Sequence, residues 1–425
     1  MDYNQCLNEM YALRRFGIKL GLSSIAHVLS ELNNPHHQFA SIHIAGTNGK
    51  GSVAAMIANI LRISGYRIGL YTSPHLIRFN ERVVINGDPI DDDSVVKLWN
   101  RVKTVHKPDR ELTFFEYTTV MAFCAFADKN VDIAVVETGM GGRLDATNIL
   151  APRLTIITNI GLDHQEYLGK KIKDIAYEKA GIIKPGTACI TDVQTNKAFD
   201  VISDTARTLN APLYQLGRDI HVRKRKDGFS YSGFEFEWHQ LQCALQGGHQ
   251  MRNAGLALCA YECIEGKKAN WKPVHEGLRT VQWPGRMEII SHSPTTILDG
   301  AHNPMATRQL VKYLKEIKQD RSLTLMIAIL NDKPYESMLT PLIQIADLLI
   351  ISQAKIDRSM DPQILKDFAK PFIQNIRIIH DISEAYFEIR QNSDPSDIIC
   401  ITGSLYIVGE VKAALNENSQ EIFLA

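Results

Sequence analysis

Alternation between apolar, β-rich runs and segments of helical period is the feature that most constrains this chain. Such alternation is typical of βαβ units, in which helices connect parallel strands of one sheet. The chain is therefore predicted to be an α/β protein. The strands predicted for its first part are residues 41–45, 67–71, 131–137, 153–160, 188–191 and 212–216.

The alternation is interrupted and then begins again. Residues 221–238 alternate around Asp227-Gly228, which predicts an antiparallel hairpin, and residues 247–264 read as a helix. Pro284 and Gly285 then break the pattern, so the domain boundary is predicted there. The second series of predicted strands is residues 295–298, 323–330, 346–352, 376–379 and 397–402.

Charge and cysteine content restrict the function. The chain has 47 Lys and Arg against 47 Asp and Glu, and this zero balance argues against nucleic acid or an anionic membrane as the main partner. Seven scattered cysteines without a C-x-x-C motif indicate reduced thiols. The chain shows no apolar region of a secretory signal and no apolar run of the roughly 18 residues that a membrane span needs. These features predict a cytoplasmic protein.

The segment AGTNGKGS at residues 45–52 lies between the first predicted strand and a helix. Glycines allow several backbone N–H groups to point at one anion, and the start of a helix adds partial positive charge. Lys50 is placed to reach the outer phosphates, and Ser52 a phosphate or its magnesium. Gly51 departs from the general P-loop pattern, but strand, glycine-rich turn, Lys, Ser and helix in this order predict a nucleotide phosphate site.

Polar residues also follow other predicted strands. Ser73 and His164 each follow a strand of the first series, Glu137 ends one, and Asp299 ends a strand of the second. Each alone has an ordinary explanation as a turn or cap, and Lys179 alone fits the C-terminal end of a helix. Because carboxyl ends of parallel strands face the ligand crevice, their shared position favours a binding role, with Glu137 suited to magnesium.

Together these motifs resemble the Mur ligase superfamily and, within it, folylpolyglutamate synthase, including its bifunctional dihydrofolate synthase form. The extra Gly51 is itself a feature of that family. The resemblance implies an N-terminal P-loop-type ATPase domain, residues 1–284, and a C-terminal doubly wound Rossmann-like domain, residues 285–425, with the active site between them. The motifs that carry it are residues 46–52, 73–75, 112–117, 137–148, 163–164, 178–181, 284–286, 299–304 and 403–404.

The resemblance implies an ATP-dependent amide ligase. ATP would phosphorylate a carboxylate of dihydropteroate or reduced folate, and the amino group of L-glutamate would displace the phosphate. Lys50, Lys179 and His302 are the implied catalytic residues, and Lys179 is implied to be carbamylated. The implied binding residues are Asn48, Gly49, Lys50, Gly51, Ser52, Asn253, Arg286 and Asp299 for ATP; Ser73, Glu137 and His164 for Mg²⁺; Thr113, Phe114, Phe115, Glu116, Leu144, Asp145 and Ala146 for the pterin substrate; and His302 and Ser404 for glutamate.

Two alternatives stay open at this point. A cell-wall Mur ligase would act on a UDP-sugar peptide, but its additional N-terminal domain is not predicted, because the phosphate-loop strand begins by residue 41. A non-catalytic nucleotide-binding module is disfavoured by the combination of Ser73, Glu137, His164 and Lys179. The sequence does not separate a monofunctional from a bifunctional enzyme, and a monomer is expected because no apolar association helix stands out.

Overall fold

The computed structural model describes residues 1–13, 17, 21–105 and 112–424, with side chains as far as residue 416. Its backbone contacts separate two compact units. Unit 1 consists of Met1–Ala244 and Gln250–Val281, and unit 2 of Leu245–His249 and Gln282–Ala425. Within the described residues, no helix combines the length and the apolar character needed to cross a membrane.

Unit 1 contains an eight-stranded sheet in the order β4-β3-β2-β5-β1-β6-β7-β8. Strands β2, β5, β1, β6, β7 and β8 run parallel, as the sequence predicts, and β3 and β4 add an antiparallel edge that it does not. The strands are β1 Ala40–Ala45, β2 Ile68–Tyr71, β3 Val83–Ile85, β4 Asp88–Pro89, β5 Ile133–Glu137, β6 Leu154–Ile157, β7 Cys189–Thr191 and β8 Leu213–Gln215.

Helices cover this sheet and bury two apolar clusters. One cluster is formed mainly with α1, α2, α4 and α5, and the other mainly with α7 and α8. Strands β1 and β5 are buried along almost their whole length. Strand β5 therefore reads as an apolar run that ends at Glu137, whereas β1 carries the polar residues Ser41 and His43 between apolar ones. The helices of unit 1 are α1 Tyr3–Ala12, α2 Ser23–Glu31, α3 Lys50–Ile63, α4 Asp92–Val105, α5 Phe114–Asp128, α6 Gln165–Leu168, α7 Ile172–Ala180, α8 Asn196–Thr208, α9 Gly248–Glu265, whose first two residues belong to unit 2, and α10 Trp271–Thr280.

The predicted hairpin is confirmed and is part of a three-stranded antiparallel sheet. Strands β9 (His221–Arg225) and β10 (Gly228–Ser232) flank the turn, and β11 (Glu237–Leu241) pairs with β10. The buried carboxylate of Glu262 on α9 accepts a hydrogen bond from Tyr231 Oη at 2.7 Å. The same carboxylate also accepts from the backbone N–H groups that precede β11, which holds the sheet against α9.

Unit 2 contains a six-stranded sheet in the order β12-β13-β17-β14-β15-β16. The five predicted strands are present and parallel, and β12 adds an antiparallel edge. The strand predicted as residues 323–330 ends earlier, at Ile327. The elements are β12 Glu288–His292, β13 Thr295–Leu298, α11 Pro304–Lys318, β14 Leu323–Ile327, α12 Tyr335–Ile343, β15 Leu348–Ile351, α13 Pro362–Ala369, β16 Ile376–Ile378, α14 Ile382–Asn392, β17 Ile398–Thr402 and α15 Leu405–Leu424.

Candidate active site

The carboxyl ends of four neighbouring strands bring the main predicted residues of unit 1 to one edge of the sheet. In the order β2-β5-β1-β6, these strands lead to Ser73, to Glu137, to the loop of residues 46–52 and to the segment that contains His164. Because the strands are parallel, their carboxyl ends share this edge. The topology therefore assembles the predicted nucleotide and metal residues from distant parts of the chain.

The phosphate loop turns tightly between β1 and α3. Gly46 and Gly49 have φ values of +150° and +84°. A Cβ atom at Gly46 would lie 1.9 Å from Thr158 Oγ1, and one at Gly49 would lie 2.7 Å from Asn253 Oδ1. Both positions thus require glycine. The loop delivers the chain to Lys50 at the start of α3, where the first N–H groups have no acceptor within the helix.

The loop after β6 holds the phosphate loop in place. Thr47 N donates to Asn159 O at 2.8 Å, and Asn48 N donates to Asn159 Oδ1 at 2.9 Å. In return, Thr158 Oγ1 and Asn159 Nδ2 donate to Asn48 O at 2.7 and 2.9 Å. Thr158 and Asn159 were not among the predicted site residues, although they lie at the end of the predicted strand 153–160, at the edge where Ser73 and Glu137 were found.

Lys50 and Glu137 face each other beside this loop, with 3.7 Å between Nζ and Oε1. Ser73 N donates to Glu137 Oε2 at 3.4 Å, so the structure brings these three predicted residues together. His164 caps α6 with a left-handed backbone and a partly exposed ring whose Nε2 lies 4.0 Å from Asp163 Oδ1. Its role as a metal ligand stays a prediction.

The donor chemistry of this set suits magnesium. Within the described part of the chain, no three His, Cys, Asp or Glu side chains gather into a metal site. The predicted set instead combines the Ser73 hydroxyl and the Glu137 carboxylate, both oxygen donors that magnesium prefers, beside a phosphate loop. Magnesium often keeps several waters and binds substrate phosphates, so few protein ligands are needed.

Lys179 lies at the phosphate loop rather than at a solvent-exposed helix end. Its Nζ is buried and donates to Gly46 O at 2.8 Å. Burial, reinforced by the positive charge of Lys50, lowers the pKa of Lys179 to about 7, although Asp163 and Asp145 oppose the shift. A large fraction of this amine is therefore neutral near neutral pH.

Asn253 is linked to the phosphate loop by Gln250, which was not among the predicted site residues. Asn253 Nδ2 donates to Gln250 Oε1 at 2.9 Å, and Gln250 Nε2 donates to Ser52 Oγ at 3.3 Å. Both amides are buried. The helical spacing of residues 250 and 253 places them on one face of α9, which is a signal that could have identified Gln250.

The first predicted acceptor segment forms the start of α5. Thr113 Oγ1 accepts from Glu116 N at 3.2 Å, while Thr113 N and Oγ1 donate to Glu116 Oε2 at 2.8 and 2.9 Å. This capping box occupies both polar side chains. Phe114 packs near Tyr11 and Arg82, and Phe115 lies near Tyr71. Contact of these four residues with a pterin stays a prediction.

The second predicted acceptor segment, Leu144 to Ala146, is organised around a buried carboxylate. Asp145 accepts from Thr147 N at 3.0 Å, from Met140 N at 2.9 Å, from the Thr147 hydroxyl and from the backbone of Gly139. Burial raises the pKa of Asp145 despite these bonds. The carboxylate thus anchors the glycine-rich turn that follows Glu137.

The predicted residues of unit 2 lie at the carboxyl ends of β13 and β17. Buried Asp299 accepts from Met287 N at 2.9 Å and Ala301 N at 3.0 Å. Burial raises its pKa, which the Arg286 guanidinium partly offsets. His302 Nδ1 bonds to Gly300 O at 2.8 Å, and Ser404 Oγ accepts from Ile407 N at 3.3 Å. Their contacts with ATP or glutamate stay predictions.

Comparison with known proteins agrees with this geometry. Residues 44–261 match the Mur ligase middle domain, and residues 285–405 match the Mur ligase glutamate ligase domain. The chain is 34% identical to the dihydrofolate synthase/folylpolyglutamate synthase of Bacillus subtilis, over 97% of this chain and 99% of that protein.

Two solved structures are similar over nearly the whole chain. Folylpolyglutamate synthase from Thermotoga maritima has 36% sequence identity and a TM-score of 0.86, covering 98% of this chain and 97% of the other. Bifunctional folylpolyglutamate synthase/dihydrofolate synthase from Yersinia pestis, complexed with AMPPNP and Mn ion, has 28% identity and a TM-score of 0.87, covering 98% of each.

The fold, the phosphate loop and these similarities define an ATP-dependent ligase of the Mur type. Within that class, the chain belongs to the family of folylpolyglutamate and dihydrofolate synthases. The predicted fold class and enzyme class are confirmed, and the folate branch is favoured over a cell-wall Mur ligase.

Proposed function

We propose that this enzyme joins L-glutamate to the carboxylate of dihydropteroate or reduced folate, with cleavage of ATP to ADP and phosphate. The observation that carries the proposal is the convergence of Lys50, Glu137 and Lys179 on one phosphate loop. The reaction class matches that of the Bacillus subtilis relative, which is named for both synthase activities. A monomeric, cytoplasmic enzyme remains our expectation.

The chemistry explains why phosphate-binding groups are needed in an amide ligase. A carboxylate is a poor electrophile, because its leaving group would be oxide, whereas phosphate leaves readily from an acyl phosphate. Lys50 and the start of α3 neutralise charge on the transferred phosphoryl group. The glutamate amine then attacks the activated carbonyl, and His302 and Ser404 are the residues proposed to position that amino acid.

Ser73, Glu137 and His164 are the residues proposed to hold magnesium. When bound, the metal would neutralise charge on the phosphates. Glu137 and the Ser73 hydroxyl are ordinary ligands for this hard cation, whereas an imidazole is a less usual one. A role of Asn253, Arg286 and Asp299 in ATP binding completes the proposal for the nucleotide.

We further propose that Lys179 carries a carbamate. Carbon dioxide reacts with neutral amines, and the lowered pKa of Lys179 supplies that form. The product replaces a cation beside Lys50 by a carboxylate-like group, which suits a magnesium site better. It also keeps one N–H, so the bond to Gly46 O can persist after carbamylation.

The carbamate can be tested by carbon-13 NMR in labelled bicarbonate. A carbamate signal should be present in the wild-type protein and absent in Lys179→Ala. Lys184→Ala is a matched control, because burial also lowers the pKa of Lys184 but its Nζ donates to Asn148 O, at 3.1 Å. Loss of the signal in Lys184→Ala, or its survival in Lys179→Ala, would contradict the assignment.

The substrate is tested by phosphate release in the presence of ATP, magnesium and glutamate. Dihydropteroate and reduced folate are compared as acceptors, and turnover with one or both identifies a monofunctional or bifunctional enzyme. Phosphate release should require both acceptor and glutamate. Equal release without an acceptor would contradict the proposed ligation.

A further inference from the structure

A buried histidine on β1 is not explained by the phosphate loop that this strand leads to. His43 is fully buried, and its Nε2 lies 2.7 Å from Thr147 Oγ1, in the short 3₁₀ helix Ala146–Ile149. Its Nδ1 is buried without a hydrogen-bond partner in the described part of the chain. Burial, aided by the charge of Lys184, lowers the pKa of His43 to about 3, so the ring is neutral.

The bonding pattern fixes the direction of the hydrogen bonds. Asp145 already accepts from the backbone N–H groups of Thr147 and Met140, so its carboxylate is an acceptor for the Thr147 hydroxyl as well. Thr147 has one hydroxyl proton and gives it to Asp145. His43 therefore donates its Nε2 proton to Thr147 Oγ1, and its Nδ1 is the deprotonated nitrogen.

These bonds connect β1 to the turn after Glu137. Asp145 holds the backbone of Gly139 and Met140, and Gly139 lies against the ring of Phe115, where a Cβ would be 2.6 Å from Phe115 Cζ. The hydrogen bonds that run from His43 through Thr147 to Asp145 thus lead to Phe115, which is a predicted acceptor-binding residue. Of the three side chains that form these bonds, His43 lies on β1, and Asp145 and Thr147 lie in the segment after Glu137. All three belong to unit 1.

Stability alone is a poor reason for a histidine here. A buried nitrogen without a partner costs free energy, and an apolar side chain of similar size would avoid that cost. We propose that His43 is a positioning residue for the acceptor site, which acts through Thr147 and Asp145 to hold the turn after Glu137 at Gly139 and Met140. This inference rests on the proposed function, because it assigns the turn to binding of the pteroate acceptor.

The test compares two pairs of variants. His43→Leu removes the donor, whereas His43→Gln keeps a side-chain N–H at a similar reach. Thr147→Val removes the hydroxyl, whereas Thr147→Ser keeps it. Calorimetric titration with dihydropteroate in the presence of ADP gives the acceptor Kd, and titration with ADP alone gives the nucleotide Kd.

We expect His43→Leu and Thr147→Val each to raise the dihydropteroate Kd about tenfold, the effect of losing one buried hydrogen bond. His43→Gln and Thr147→Ser should stay within about twofold, and all four should keep the wild-type ADP Kd within about twofold. Because the residues act in series, the double variant should bind no more weakly than Thr147→Val alone. An unchanged acceptor Kd in His43→Leu, an equal loss of ADP affinity, or additive effects would overturn the proposal.

Amide hydrogen exchange separates this inference from the proposed function. If the wild-type protein binds no pteroate acceptor, the proposed function fails. Amide exchange at Met140 and Thr147 still tests the hydrogen bonds that run from His43 through Thr147 to Asp145. Exchange there should be faster in His43→Leu than in His43→Gln, while β7 keeps its protection in both. Equal protection of Met140 and Thr147 in the two variants would overturn the positioning role.

Discussion

The predicted site residues of the two units use their polar atoms differently. In unit 1, Lys50 lies close enough to Lys179 to lower its pKa, and Glu137 is 3.7 Å from Lys50. In unit 2, Asp299, His302 and Ser404 each bond to the backbone of a neighbouring residue. These three side chains of unit 1 thus gather charges of both signs at one loop, whereas the three of unit 2 bond mainly to the backbone around them.

This difference indicates what each substitution should change. A second lysine beside Lys50 has its charged form disfavoured even with Glu137, Asp163 and Asp145 nearby, so the arrangement fits a phosphate-binding loop better than a purely structural one. A carboxylate that accepts two backbone N–H bonds stabilises its own loop whether or not a ligand is bound. Substitutions of Lys50, Glu137 and Lys179 should therefore mainly affect catalysis, and substitution of Asp299 should affect stability as well.

The largest effect is expected for Lys50→Ala and Glu137→Ala. Each should lower kcat by roughly 10³-fold or more, because a charged group at the transferring phosphate is lost. Phosphate release gives the rate, while circular dichroism and thermal melting verify the fold. Lys103→Ala is the control, since Lys103 pairs with Glu9 at an exposed position and should leave turnover unchanged. Wild-type turnover in Glu137→Ala would remove Glu137 from the site.

The next largest effects are expected on kcat when Lys179 is substituted and on the pH dependence of its carbamylation. Lys179→Ala should lose roughly 10²-fold or more in kcat, with partial rescue by acetate as a small carboxylate. Because the pKa of Lys179 is lowered to about 7, its neutral fraction rises as pH increases and approaches its limit above that value. Reactivation of carbamate-free enzyme at constant dissolved carbon dioxide should thus rise about tenfold per pH unit below pH 7 and then level off. A rate independent of pH would contradict carbamylation of this amine.

Buried parallel strands were the part of the fold that the sequence predicted well. Strand β13 has its predicted bounds, 295–298, and β1 differs by one residue, because both are short runs rich in β-branched residues that end at a Gly or Asp-Gly turn. The edge strands β3, β4 and β12 were missed. Strand β12 is only partly buried, so its residues need not form an apolar run.

The site could be predicted only where a motif or a strand end marked it. Lys50, Glu137 and Ser73 were found in this way and lie together. Local pattern alone gave Lys179 an ordinary helix-end role, because its hydrogen bond to Gly46 O joins residues that are far apart in the sequence. Gln250 and His43 were missed because each acts through hydrogen bonds to distant segments. Asn159 was missed although it lies at the end of the predicted strand 153–160.

In unit 2, Asp299→Asn should affect stability and nucleotide binding together. In the variant, the NH₂ group of the amide must face one of the two backbone N–H groups from which the Asp299 carboxylate now accepts. The loss of that hydrogen bond should cost about 1–3 kcal/mol of unfolding free energy. Asp347→Asn is the matched control, because Asp347 accepts from Leu323 N at 2.8 Å and is not a predicted ligand. A weaker ADP Kd in Asp299→Asn alone supports the ATP contact, and equal ADP binding in both variants contradicts it.

The smallest effect is expected at Thr113, where a role as the N-cap of α5 can be distinguished from a contact with the pterin substrate. Thr113→Ala removes the N-cap of α5 and should lower the unfolding free energy by about 1 kcal/mol, as measured by denaturant titration, whereas Thr113→Ser keeps the hydroxyl. A pure capping role predicts that KM for the acceptor stays at the wild-type value in both variants, since Glu116 still accepts from the residue 113 backbone N–H. A pterin contact through the hydroxyl predicts a raised acceptor KM in Thr113→Ala alone, with KM for ATP unchanged. Because the capping box already uses this hydroxyl as donor and acceptor, we expect the capping result, and a raised acceptor KM would show that the box opens when the substrate binds.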